Sequence, residues 1–362
     1  MLISKTYLKD SFTGYIKILT ATFVAFFFII FLIDLLELLR IAPKYSLKFF
    51  MIVKLALMKN YNSMSKLTLL LVLISSLVFF YIKNKNNEII AAKNLGISSL
   101  GILLPIILVV FLFGIINITV INPIGTMLLR KYGNYEAHNF KKQISLVSVS
   151  KSGIWLKSRL KKDMIIINAL RVSQVSNIMY DTNIFFINEL GELQKRISAR
   201  SILLEKSNII AKDVLIIDQN FKINTEKQII LPIKISLSQV LDNLISVDTI
   251  SFFQLLEFIK ITKDSGLSTT KYKLHFLKEV LSPFLLISMV IISYFYCSQM
   301  VQRKRFNILP LICIITGFAM YFIANFIYAL GTSGKISTLL AVIFPIMTFN
   351  TFALYLVLYK SY

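Results

Sequence analysis

Few residues in this chain could do chemistry, and their spacing argues against most of it. The 362 residues include two histidines, His138 and His275. Neither stands with a carboxylate or thiol at the spacing that zinc sites and acid–base pairs require, so both read as interfacial polar residues. Gly331-Thr332-Ser333-Gly334-Lys335 faintly follows a phosphate loop. It fails because no glycine stands five positions before Gly334 and Ile336 fills the Ser/Thr position after the lysine. No catalytic residue, metal or bound cofactor is therefore expected, and energy for any transport must come from a partner or an ion gradient. Asp34 and Glu37 close the first apolar run, whereas proton or sodium relays place ionisable groups near mid-membrane; carboxylates at an interfacial helix end are the plainer reading. Asn117, Asn325 and Asn350 suit interhelical hydrogen bonds better than ligand contacts.

Two constellations remain. The first is Asn87-Glu88-Ile89-Ile90-Ala91-Ala92-Lys93-Asn94-Leu95-Gly96-Ile97-Ser98. Glu88 is followed at i+3 and i+4 by Ala91 and Ala92, a small, smooth face, and the helix should stop at Gly96. Such a helix can dock in a groove of a cytosolic partner with its glutamate meeting a basic residue, or be an ordinary loop helix. The second is a row of cations, Arg40, Lys44, Lys48, Lys54 and Lys59, leading into the second apolar run. Read as one helix, Lys44, Lys48, Lys59 and Lys66 share a side. They either meet an anionic head group or snorkel as anchors.

These residues must be carried by a membrane protein. Hydrophobic residues make up 56% and the mean hydropathy is +0.72, too apolar for an ordinary globular surface. Runs Ile18–Ile33, Leu67–Ile82 and Ile97–Ile121 precede a polar middle, and Val280–Val301, Ile308–Leu330 and Ile336–Leu358 follow it. Each is long enough for a hydrocarbon layer of about 30 Å. The formal charge of +22 is spread over spans and loops, which excludes a nucleic-acid surface and favours anionic lipid. Cys297 and Cys313 both fall in spans, so no disulfide framework is expected. No small-residue cleavage site follows the first run, which reads as a retained anchor.

Lys5, Lys9, Lys17, Lys83, Lys85, Lys93, Arg303, Lys304, Arg305 and Lys360 fall on one side of six spans, against Arg40, Lys44, Lys48 and Lys335 on the other. The first side is predicted to be cytoplasmic. The domains then read as spans 1–3 with a cytoplasmic helix at 84–96 in residues 1–121, an extracytoplasmic insertion at 122–268, and spans 4–6 in 269–362. Within the insertion, short Ile/Val-rich runs (Ile144–Val149, Met164–Ala169, Ile184–Ile187, Ile197–Leu204, Ile209–Ile217, Ile229–Ile235) alternate with turns such as Asn188–Glu192. That pattern predicts an antiparallel β domain, sandwich or open barrel, with edges another β domain can extend. Val247–Lys263 reads as an amphipathic helix with Phe252, Leu255, Leu256 and Ile259 on one face.

Several of these segments together resemble one family, the lipopolysaccharide export permeases LptF/LptG. The Glu88–Ser98 loop resembles their coupling helix, Gly153-Ile154-Trp155-Leu156-Lys157 the G-x-W-x-K that opens their periplasmic β domain, and Ser265-Gly266 with Tyr272 and Leu274 the entry to their fourth span. Ser282-Pro283 resembles the proline early in that span, and the tryptophan motif and the Ser265-Gly266 linker favour the LptG branch over LptF. The resemblance implies a six-helix membrane permease in a 3+3 arrangement with an inserted all-β, jellyroll-like domain. It implies a place in the bacterial inner membrane with the large domain in the periplasm. It further implies partnership with an LptF-like permease, an LptB-like ATPase dimer that consumes the ATP, and an LptC-like periplasmic β protein. Glu88, Ala91, Ala92 and Gly96 would meet the ATPase; Lys59, Lys54, Lys48, Lys44 and Arg40 would meet lipopolysaccharide phosphates. Where family members tend to carry lysine in the last turn of the first span, this chain has Phe31, Asp34 and Glu37. A permease for another lipid or lipoprotein, and a non-transporting scaffold displaying a β domain, remain as alternatives.

Overall fold

The computed structural model describes the chain except residues 1–4, 46, 140–145, 151–152, 161–162, 174–177, 189–191, 205–207, 219–221, 232–245, 265–266, 300–307 and 361–362. Ser265-Gly266, the 302–307 loop and the second half of the predicted strand at Ile229–Ile235 thus lie outside the described residues. The chain divides into two compact units, Met1–Leu129 with Lys273–Tyr362, and Arg130–Tyr272.

Among the described residues, six helices are long and apolar enough to cross a membrane. They are α1 (Lys5–Ile41), α2 (Phe49–Lys85), a third beginning with α4 (Ser99–Ile116), then α7 (Thr270–Gln299), α8 (Leu309–Thr332) and α9 (Thr338–Lys360). A short α3 (Glu88–Asn94) joins the second and third. The third runs on without a break through a π-helical segment (Asn117–Ile121) into α5 (Asn122–Asn139). At 1.5 Å per residue, the 37 residues of α1 reach about 55 Å, well beyond a hydrocarbon core of about 30 Å. The apolar runs therefore mark only the middle of each helix, because polar flanks without a breaker continue it.

The helical unit packs around one core. Phe80 and Leu73 of α2, Leu103 and Ile106 of α4, Met289 and Ile292 of α7, Cys313 of α8 and Val342 of α9 are all buried in it. Small residues bring these helices close. A methyl group on Gly317 would lie 2.1 Å from Leu73 Cδ2, and one on Gly114 would lie 2.8 Å from the Pro283 ring. Polar side chains tie backbone to backbone across the bundle: Ser293 Oγ donates to Leu73 O at 3.1 Å, and Asn84 Nδ2 to Cys297 O at 3.1 Å. In hydrocarbon such bonds have no competing water. By contrast α1 keeps only 11% of its apolar stretch buried. Phe28, Ile29, Leu32 and Leu36 are exposed, a face left for lipid or another helix bundle.

Among its described residues the second unit has seven antiparallel strands, β1 (Leu146–Ser150), β2 (Gly153–Leu160), β3 (Asp163–Ser173), β4 (Ile178–Ile187), β5 (Leu193–Leu204), β6 (Ile209–Asp218) and β7 (Ile223–Leu231). Among the described residues they pair strictly in chain order, as a meander. The sheet folds along one row. Pairing skips Leu170 opposite Asp181, then Arg200, then Asp213 opposite Lys227. Asp181 and Asp213 have φ of 50° and 51°, a left-handed conformation that Asp tolerates better than bulkier residues. At this row the buried set changes parity, from Ile197 and Ala199 to Ile202 and Leu204 in β5, and from Ile209 and Ala211 to Val214 and Ile216 in β6. The unpaired residues stand opposite one another and the register is the same on both sides of the row, so the change of parity keeps both arms facing the same core.

Against that core lies α6 (Phe252–Asp264), with Leu255 buried and Phe258 and Ile261 packed on the sheet residues. The structure corrects two expectations here. The helix starts at Phe252, after a 3-10 turn at Val247–Thr249, and Leu256 lies on the exposed face rather than beside Leu255. On the sheet, Trp155 stacks parallel to Phe185 (6.5 Å between centroids, 11°), and the Arg196 guanidinium lies 5.7 Å from the Phe185 ring. Gly153 opens β2 at φ +102°, where a Cβ would come 2.3 Å from Ala169 O. Gly153→Ala is therefore expected to cost at least about 1–3 kcal/mol in the β unit, read as a lower unfolding midpoint by strand circular dichroism.

Candidate functional site

The first constellation is built where α1, α2 and α3 meet. Asn87, at φ 61°, turns the chain, and Ala91 N donates to Asn87 O at 3.0 Å to start α3. Gly96, at φ +79°, ends it, with Gly96 N on Lys93 O and Ile97 N on Ala92 O. Only glycine enters that conformation without a Cβ penalty, so Gly96 serves as the stop of the helix. Ser98 then caps α4 by accepting from Gly101 N at 3.2 Å.

The expected pair of alanines does not form one docking surface. Ile89 and Ala92 are each 3% exposed and pack into the bundle core, whereas Ala91 is exposed. Successive residues point about 100° apart on a helix, so adjacent alanines cannot both face a partner once one faces the core. The outward stripe is instead Glu88, Ala91 and Leu95, spaced at i, i+3 and i+7. Leu95, 73% exposed, was missed in the sequence; its spacing from Glu88 was the available signal.

Glu88 is held rather than loose. Lys83 Nζ lies 2.5 Å from Glu88 Oε2 and 2.7 Å from Asp10 Oδ2, and Asn86 Nδ2 donates to Glu88 Oε1 at 3.3 Å. One lysine between two carboxylates leaves the trio one negative charge, which suits an incoming cation. The trio also links α3 to α1, the helix with least packing of its own. Asp10 stands 78 positions before Glu88, so no local pattern announces it.

The second constellation divides. Arg40, Lys48 and Lys54 are exposed, and the Lys44 side chain lies outside the described residues. Lys44, Lys48, Lys59 and Lys66 do not share one helix: Ala42–Tyr45 is a 3-10 turn and Lys48 is the N-cap of α2. Lys59 is no free cation either. Its Nζ lies 3.3 Å from Asp34 Oδ1 and 2.5 Å from Glu37 Oε2, both on α1. Asp34, read from sequence as an interfacial carboxylate, is 3% exposed against α2. Beside this bridge Asn60 Nδ2 donates to Phe27 O at 3.1 Å, and Gly125 leaves the room that the Tyr61 ring fills.

The remaining candidates are structural. His275 Nε2 lies 3.8 Å from Glu279 Oε1 at i,i+4, so a companion carboxylate does exist at helical spacing; the His138 side chain is outside the described residues. The Gly331–Lys335 stretch is the C-terminal turn of α8, with Gly334 at φ +76° and Lys335 N bonded to Leu330 O. Asn350 Nδ2 reaches Phe284 O on α7 at 3.0 Å, while Asn325 bonds within its own helix to Tyr321 O. Among the described residues no group of three His, Cys, Asp or Glu side chains could hold a metal.

Comparison with known proteins agrees with this architecture. The sequence model of the lipopolysaccharide export system permease LptF/LptG matches residues 12–359, nearly the whole chain. No curated protein matches it. With six spans, an inserted antiparallel β unit and a short helix between the second and third spans, the chain belongs to the LptF/LptG family of lipopolysaccharide export permeases.

Proposed function

We propose that this chain is the LptG-like half of an ABC transporter that lifts lipopolysaccharide from the outer leaflet of the inner membrane to a periplasmic β bridge. An LptF-like permease completes the transmembrane pair, an LptB-like ATPase dimer supplies the ATP chemistry, and an LptC-like β protein receives the lipid. The observation that carries this reading is α3: its inner side is anchored by Ile89 and Ala92, while Glu88, Ala91 and Leu95 face outward. A helix rigidly rooted in the bundle passes a push from a docked partner to the spans; a scaffold needs no such lever. The β unit then stands on the periplasmic side, and the exposed face of α1 is available to a second permease or to substrate.

The physical need is clear. Each acyl CH₂ left in water costs about 0.8 kcal/mol, so a many-chained lipid cannot be released into solvent between membrane and acceptor. Its phosphates would first meet the exposed cations Arg40, Lys48 and Lys54. A photo-cross-linker at the exposed position 50, one helical turn before Lys54, is expected to trap lipopolysaccharide without ATP, and Lys54→Glu in that background to lower the loading several-fold, since each surface charge is worth about 1 kcal/mol. Equal trapping in Lys54→Glu would reduce these cations to helix anchors. The reading as a whole is tested by purifying the protein from its native membrane. Bound lipopolysaccharide by mass spectrometry and a co-purifying ATPase are expected; another lipid in its place would favour the alternative cargo, and no ATPase would favour the scaffold.

A further inference from the structure

The connector helix α6 carries a face that the β core does not use. Phe253 and Leu256 are 62% and 59% exposed, and Lys260 and Lys263 are exposed beside them. The spacing 253, 256, 260, 263 repeats every three or four residues, so all four share one stripe of the helix. Leu255 and Thr262, on the far side, are fully buried, and Phe258 and Ile261 pack against the sheet. The stripe is thus two large apolar groups followed by two cations, all on the surface of the unit.

Both ends of α6 are tied to membrane-spanning helices. At its start, Arg130 Nη2 donates to Thr249 O at 3.2 Å and to Gln254 Oε1 at 3.4 Å. Arg130 belongs to α5, the unbroken extension of the third span, and comes one turn after Met127, which is 57% exposed like Ile124 before it. Exposed apolar side chains on a span mark its lipid-facing stretch, so the arginine that holds α6 stands within about one helical turn, roughly 5 Å, of that stretch. At its other end only residues 265–269 separate α6 from α7, the fourth span, a reach of at most about 20 Å. The first turn of α7 adds the exposed Lys271 and Lys273.

We propose that α6 is a membrane-surface helix. Phe253 and Leu256 enter the phospholipid head-group layer, while Lys260, Lys263, Lys271 and Lys273 lie against lipid phosphates. An aromatic and a leucine followed by lysines on one stripe is the pattern that holds a helix in the plane of an interface. The phospholipid bilayer is the favoured occupant because both tethers come from spans and the four lysines outnumber the exposed Glu257 and Asp264 that flank the stripe. This inference does not depend on the cargo or on the ATPase.

The test uses the full-length protein in nanodiscs of phosphatidylethanolamine and phosphatidylglycerol. Trp155 is the single native tryptophan, so Trp155→Phe combined with Phe253→Trp gives one reporter, and Trp155→Phe with Leu256→Trp gives a second. Side chains lying roughly 5–10 Å into the interface should lose about half of their emission to lipids brominated near the head group. Trp155→Phe with Ile223→Trp, a comparably exposed position on β7, should be unaffected. Adding Lys260→Glu and Lys263→Glu should remove most of the quenching. Reporters at both 253 and 256 that ignore bromine but are quenched by aqueous acrylamide would overturn the proposal. So would reporters shielded from both quenchers, which would assign the face to a protein partner or a second copy.

Discussion

Glu88→Lys is expected to abolish ATP-driven export while the protein still folds and inserts. The substitution sets a second cation beside Lys83 and turns the negative trio of Asp10, Lys83 and Glu88 positive, so a basic residue of a docking ATPase meets repulsion. Breaking one side of a desolvated interfacial ion pair costs several kcal/mol, about a thousandfold in affinity at 4 kcal/mol. The fold survives because Lys83 keeps Asp10 at 2.7 Å, and Ile89 and Ala92 still root the helix. Glu88→Gln should fall between, keeping an acceptor without the charge. The check is co-purification of the ATPase with wild-type and variant protein, and normal recovery with Glu88→Lys would end this assignment.

Lys59→Glu is expected to loosen α1 from α2 more than any other charge reversal in the cation row. It would place three carboxylates together, one of them the buried Asp34. Removing the partner of a buried charge costs about 3–5 kcal/mol, and α1 has little apolar packing with which to offset it. Lys48→Glu, at an exposed helix cap, should change stability by less than about 0.5 kcal/mol. The exchange Asp34→Lys with Lys59→Asp restores opposite charges across the same helix pair and should recover a good part of the loss. Thermal unfolding in detergent separates these cases: an unchanged midpoint in Lys59→Glu would show that the bridge contributes nothing.

That bridge also marks the limit of what the sequence made legible. The six spans, their 3+3 division and the β insertion follow from apolar run length and Ile/Val periodicity, which are local properties. Lys59 was read as a substrate contact from its position alone, because no local rule pairs residue 59 with residues 34 and 37 across a helical hairpin. The split of Ala91 from Ala92 was in principle legible, since the helical period sets them about 100° apart; which of them faces the core depends on the bundle behind. The folded row of the β unit was hidden for a related reason. Asp181 and Asp213 look like ordinary polar residues inside apolar strands until their positive φ values and skipped pairings are seen together.

The two triads hold α1 near its two ends. Lys83 ties one end of it to α3 and Lys59 ties the other to α2, while between them Tyr15 Oη meets Ser76 Oγ at 2.8 Å and Asn60 Nδ2 donates to Phe27 O at 3.1 Å. A helix held by four polar points and little packing can shift when one point is taken by a competitor, such as a partner's cation at Glu88.

The most direct test is transfer itself. The protein, reconstituted in liposomes with its co-purifying permease and ATPase partners and with lipopolysaccharide, is mixed with a soluble periplasmic β acceptor that carries a photo-cross-linker. The account predicts lipopolysaccharide–acceptor adducts that accumulate with time only when ATP is present, and that are lost with Glu88→Lys although the lipid still loads. Adducts that form equally without ATP, or equally with Glu88→Lys, would contradict it.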